Sequence, residues 1–267
     1  DGAHNNTNSG HALICPVSLS NDGETIAIGS PDGNEIGTYK YPGYTRVFTL
    51  REGMWTKVGA NIYGKESGDR SGYSVSLSDD CKTVAIGSNL APWVYQKRLS
   101  DGKGIGYVMV FKFSDVSSTW IPIGEEIYVS DSDDVPLSSL IGNECGYRKN
   151  DIGIICKSPG IDLDGRCRYH PVNPFKYFEK LVYLSADGET VAVGAHHGKE
   201  TGYTRVFKLQ GGMWTQVGAD IDGEGNDERF GCSVSLSNDG KTVGIGAYGH
   251  MENGERNAGQ VKVFFLD

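Results

Sequence analysis

The chain has 267 residues, of which 38% are hydrophobic and 38 are glycine, and carries a formal net charge of −9. That length and apolar content suit one large all-β domain or two small ones, and glycine at about twice its ordinary usage predicts many tight turns between short strands. An acidic surface repels phosphate backbones, which argues against nucleic acid as a partner, and no stretch approaches the roughly 18 apolar residues of a membrane span.

The chain begins at Asp1 instead of Met and shows no charged-then-apolar leader, so it reads as a mature processed chain or a fragment. Asn5-Asn6-Thr7 makes Asn5 a candidate N-glycosylation acceptor. Six cysteines follow, Cys15, Cys81, Cys145, Cys156, Cys167 and Cys232, and none forms a CxxC pair. Scattered cysteines in even number fit disulfides in an oxidising compartment, so a secreted or cell-surface location is expected.

The first unit starts at Val17. Val-Ser-Leu-Ser alternates apolar and small polar residues, as a half-buried strand does. The turn Asn21-Asp22-Gly23 joins it to Thr25-Ile26-Ala27-Ile28-Gly29, a strong hairpin signal. Tyr44-Thr45-Arg46-Val47-Phe48 and the Trp55 segment complete four strands. The same unit returns at Val75, Val182 and Val234, with the third strand at Tyr107, Tyr203 and Gln260 and the Trp at Trp120 and Trp214. Four antiparallel strands per 50–60 residues are the signature of a β-propeller blade, with a β-helix or stacked sandwiches as alternatives. The small residues ending the second strand suit the crowding near a propeller axis. The three Trp fit either packing between blades, the favoured reading, or stacking on sugar rings.

In the second unit Trp93, Tyr95, Lys97 and Arg98 form an aromatic and basic loop with no counterpart elsewhere, the best single candidate for a contact site. The marker valines are spaced by 58, 107 and 52 residues. The middle gap predicts five blades, or four blades plus a long insertion, within a single domain spanning residues 1–267. The irregular segment is 128–175, and it holds three of the six Cys. It also holds the densest carboxylates, Asp131, Asp133, Asp134, Asp162 and Asp164, which could converge on calcium or form a solvated acidic loop. Apart from that calcium, no cofactor is expected.

Later in the chain, His196-His197 and His250 read as surface-loop residues, because adjacent residues on an extended chain point to opposite sides. Asp220, Asp222 and Glu224 do not repeat as ligands in the preceding unit, where Asn61 and Tyr63 stand in place of the two Asp. Cys15 and Cys232 occupy the same position in the first and last units. Ring closure would bring them together, and a Cys15–Cys232 bridge is predicted. The last unit ends after its third strand, so the sequence predicts irregular closure or further chain.

Arg229-Phe230-Gly231-Cys232-Ser233-Val234-Ser235-Leu236, then Val243-Gly244-Ile245-Gly246-Ala247 and Gly259-Gln260-Val261-Lys262-Val263-Phe264, resembles the FG-GAP repeat of integrin-type propellers. The Trp-Thr-Gln-Val-Gly-Ala-Asp-Ile element is similar to secreted algal multi-repeat surface proteins. The resemblance implies an extracellular propeller used in adhesion, matrix or partner binding. The family's calcium loops do not carry over, because the hairpin here keeps at most two acidic residues where calcium takes six to eight oxygens.

No catalytic signature is present, so the expectation is a non-enzymatic binding or structural module. Its expected partners are other extracellular proteins or copies of itself, and polysaccharide in a lectin-like alternative. A polysaccharide-active hydrolase or lyase ranks third.

Overall fold

The computed structural model describes residues 16–33, 42–89, 106–128, 180–196, 201–251 and 257–266, and among these every regular element is a β-strand. Sheet 1 holds β1 (Val17–Leu19), β2 (Thr25–Ser30), β3 (Tyr44–Arg51), β4 (Met54–Lys57) and β5 (Ile62–Tyr63). Sheet 2 holds β6 (Ser71–Leu77), β7 (Thr83–Ser88), β8 (Tyr107–Ser114), β9 (Thr119–Pro122) and β10 (Ile127–Tyr128). Sheet 3 holds β11 (Lys180–Leu184), β12 (Thr190–Ala195), β13 (Tyr203–Gln210), β14 (Met213–Gln216) and β15 (Ile221–Asp222). Sheet 4 holds β16 (Phe230–Leu236), β17 (Thr242–Ala247) and β18 (Gln260–Phe265). Within each sheet the named strands pair antiparallel, and the first three follow chain order.

The Ser-Xaa-Asp turn fixes each first hairpin locally. Ser20 Oγ donates to Asp22 Oδ1 at 2.5 Å and accepts the Thr25 N–H at 2.9 Å, while Asp22 also accepts the Glu24 N–H. The same net recurs around Asp80, Asp187 and Asp239. These carboxylates are consumed by the turn, as Asp usually is there. The Ser20 and Ser237 hydroxyls, then the backbone N–H groups, hold the Asp22 and Asp239 carboxyls below their ordinary value. The turn also requires a left-handed residue, which is Gly23, Gly188 or Gly240 in three copies and Cys81, at φ 61°, in the second.

The fourth strand differs from the sequence expectation. It is broken in two: β4 and β5 both pair with β3, and β14 and β15 both pair with β13. The break falls at Gly59 and Gly218, both with positive φ.

Successive sheets stack face to face through one repeated junction. Ala27, Val47 and Ile62 of sheet 1 meet Val75, Leu77, Val84 and Ile86 of sheet 2. Ala85, Val110 and Ile127 meet Val182, Leu184, Val191 and Val193, and the third junction repeats the pattern with Leu236, Val243 and Ile245. Full burial of such side chains stabilises by about 1.5–3 kcal/mol each. Polar contacts set the stacking register. Ser18 Oγ accepts the Leu77 N–H at 3.0 Å, and Ser76 Oγ accepts the Leu184 N–H at 2.9 Å. Trp120 Nε1 donates to the Val58 carbonyl and Trp214 Nε1 to the Ile123 carbonyl, each at 2.9 Å and each into the preceding sheet. Two of the three repeated Trp are therefore inter-sheet packing residues.

Sheets 2 and 3 touch directly although residues 129–179 separate them in sequence; the Asp79 N–H reaches the Ala186 carbonyl at 3.0 Å. The crowding expected at a propeller axis lies instead between neighbouring sheets. Gly29 abuts the Gly72 carbonyl, and Gly194 abuts that of Gly231, with no room for a side chain at either.

Candidate functional site

The outer face of sheet 4 is the most distinctive surface among the described residues. Val261 and Val263 on β18 are 73% and 60% exposed, whereas their counterparts in sheet 2, Val108 and Val110, are 0% and 1% exposed beneath sheet 3. Phe265, 83% exposed, stands where sheets 2 and 3 place Lys112 and Lys208, so this face is more apolar than an internal one. The strand edge is open as well. β3, β8 and β13 each pair with a strand on either side, but β18 pairs with β17 alone among the described strands. Its unpaired backbone groups are a template for another strand.

A depression of about 390 Å³ runs across one end of this sheet, lined by Cys232, Ser233, Gly246, Tyr248, Gly259 and Gln260, among others. At internal junctions the same place is filled by the next sheet's first strand. Gly43 bridges Ser71 and Gly202 bridges Phe230, in parallel. Gly259 keeps the same left-handed backbone, φ 75°, yet nothing lies within 4 Å of where its Cβ would be. The Gln260 Oε1 is buried and has no hydrogen-bond partner among the described residues. A buried orphan acceptor costs roughly 1–3 kcal/mol.

Sheet 1 has the opposite open face. Val17 and Leu19 are 61% and 58% exposed, and Trp55 is also exposed. Their counterparts Val75 and Leu77 are buried beneath sheet 1.

Two buried carboxylates sit where one sheet passes to the next, in Asp69-Arg70 and Glu228-Arg229. Asp69 Oδ2 accepts the Glu66 N–H and the Tyr107 hydroxyl, each at 2.7 Å. Burial, then the Asp69 charge and that hydrogen bond, pushes the Tyr107 phenol well above its ordinary value, so it remains a donor. Glu228 Oε2 accepts the N–H groups of Glu224 and Gly225, and Oε1 meets His250 Nδ1 at 2.8 Å. Burial raises the Glu228 carboxyl, but the Gly225 N–H, His250, the Glu224 N–H and Lys262 together bring it below its ordinary value. Sequence reasoning missed both groups, although the repeated acid-Arg pair before the first strand was a usable signal. It placed His250 as a loop residue without seeing its partner 22 positions upstream.

Among the other sequence candidates, Cys232 lies in β16, lines the depression and, like Cys81, is a free thiol among the described residues. Its expected partner Cys15 lies outside the described residues, as do Asn5, the loop residues Trp93, Tyr95, Lys97 and Arg98, and the acidic residues Asp131, Asp133, Asp134, Asp162 and Asp164. Asp220 is bound by Arg205 through two contacts of 2.7 and 2.9 Å. No group of three or more potential metal ligands occurs among the described residues.

No family model matches the chain, and no curated protein does. Solved structures that it is similar to include two propellers and a gluconolactonase. The Dos1 propeller matches at 10% identity and TM-score 0.44, over 93% of this chain and 43% of that one. The β-propeller domain of the trilobed protease from Pyrococcus furiosus matches at 7% and 0.42, over 94% and 53%. The periplasmic gluconolactonase PpgL of Pseudomonas aeruginosa matches at 14% and 0.36, over 86% and 64%. The chain thus spans between 43% and 64% of these structures' lengths. The expectation that the chain is not an enzyme is corrected here: a gluconolactonase stands among its structural neighbours, so absence of a catalytic motif does not exclude catalysis. The FG-GAP repeat family is not matched, and the coarser assignment stands: the chain is an all-β protein with the β-propeller fold.

Proposed function

We propose that this chain is an extracellular interaction module, serving adhesion or assembly, that binds through the open outer face of sheet 4. The observation that carries the proposal is the exposure of Val261 and Val263, whose counterparts Val108 and Val110 lie buried under a neighbouring sheet, with the apolar Phe265 beside them at the rim. An apolar face next to an open strand edge is suited to strand addition, in which backbone groups supply affinity and alternate side chains supply specificity. The FG-GAP resemblance of the last unit agrees with an adhesive role. The lectin alternative is weakened, because Trp120 and Trp214 pack between sheets and do not form an exposed register.

The test offers labelled chain to the surface of the cells that produce it, beside a variant carrying Val263→Glu and Phe265→Glu. Retention of the variant should drop about tenfold or more, as for a central interface residue. Equal retention of both would refute the proposal.

A further inference from the structure

We propose that the occupant of sheet 4's outer face is sheet 1 of a second copy of this chain, docked head to tail. The inference rests on the interaction-module reading and names its partner.

The two open faces are the two halves of a junction that the chain makes three times internally. In each internal junction the earlier sheet presents a small residue on its second strand and a valine on its third. Sheet 4 presents Gly244 and Val263 at those positions. The later sheet presents a Val and a Leu on its first strand and a β-branched pair on its second. Sheet 1 presents Val17, Leu19, Ile26 and Ile28 there. The register device is present too. Ser235 occupies the position of Ser18 and Ser76, whose hydroxyls accept the N–H of the next sheet's leucine. In the docked pair Ser235 Oγ would meet the Leu19 N–H. Each face therefore fits the other by the same packing and hydrogen bonding that join sheets 1 and 2.

Such a contact is heterologous, because different patches of the two copies meet. It generates closed rings if the rotation closes and filaments if it does not. Either outcome leaves a junction that depends on both faces of different molecules.

The experiment measures the native mass of the full chain by light scattering from about 1 to 100 µM, beside Leu19→Glu and Val263→Glu. Both substituted residues are exposed, and circular dichroism checks that the fold is retained. Wild type should exceed the 28.8 kDa of one chain, and each variant alone should remain monomeric, with its association constant lowered about 30-fold or more. Mixing the two variants should restore a dimer, since one intact face remains on each. A wild type that stays monomeric throughout would overturn the proposal. So would an oligomer insensitive to Leu19→Glu, which would indicate pairing of two sheet 4 faces, or a mixture that fails to associate. If association fails while cell-surface retention still depends on Val263 and Phe265, the interaction-module reading survives and only its second-copy partner is lost.

Discussion

Replacing Gly231 by alanine puts a single methyl group where sheets 3 and 4 come closest. The backbone of Gly231 is left-handed, φ 88°, and there a Cβ costs about 1–2 kcal/mol. The same Cβ would lie 2.6 Å from the Tyr203 carbonyl oxygen and 3.1 Å from the Ala195 nitrogen. Both are backbone atoms inside paired strands and cannot swing away. Forcing an extra methyl into such packing costs about 1–3 kcal/mol more, so Gly231→Ala should destabilise by about 2–5 kcal/mol. Gly244 provides the control. Nothing lies within 4 Å of its Cβ position, and the other three sheets carry Ala27, Ala85 and Ala192 there. Gly244→Ala should stabilise by about 0.5–1 kcal/mol through reduced chain entropy. Urea unfolding followed by Trp fluorescence reads both. A Gly231→Ala midpoint indistinguishable from wild type would refute the close approach of sheets 3 and 4.

Further tests address separate parts of the account. Ser76→Ala removes the acceptor of the buried Leu184 N–H and should cost about 1–3 kcal/mol in urea unfolding. Cys81→Gly relieves the one non-glycine left-handed residue among the four equivalent turns, so its thermal midpoint should rise by a few degrees. Glu228 is held below its ordinary value, so its stabilisation is present above the unfolded-state value and is lost as pH falls through the folded one. Stability of wild type should therefore decline as pH drops below 4.5, and Glu228→Gln should flatten that decline in urea titrations at several pH values.

What the sequence made legible was local. Ser20-Asn21-Asp22-Gly23 specifies its turn through contacts within five residues, so the hairpins could be read from the chain itself. The segment Thr-Val-Ala-Ile-Gly and its variants likewise marked the second strand of each hairpin. The interruption of the fourth strand was harder, because Gly59 and Gly218 look like ordinary turn glycines until both flanking pieces are seen on β3 and β13. Non-local pairings were not legible. Glu228 meets His250, and Asp69 meets Tyr107, only because two sheets converge. The open faces were equally hidden, since Val261 and Val108 occupy the same repeat position and only the stacking order separates an exposed residue from a buried one.

The central claim is that one repeated face is buried inside the stack and bare at its end. Hydroxyl-radical footprinting of the full chain, diluted below its association range, measures this directly. Val263 and Phe265 should be heavily modified while Val108 and Val110 remain protected. Comparable modification of both sets, or protection of Val263 and Phe265 in the dilute monomer, would contradict the account.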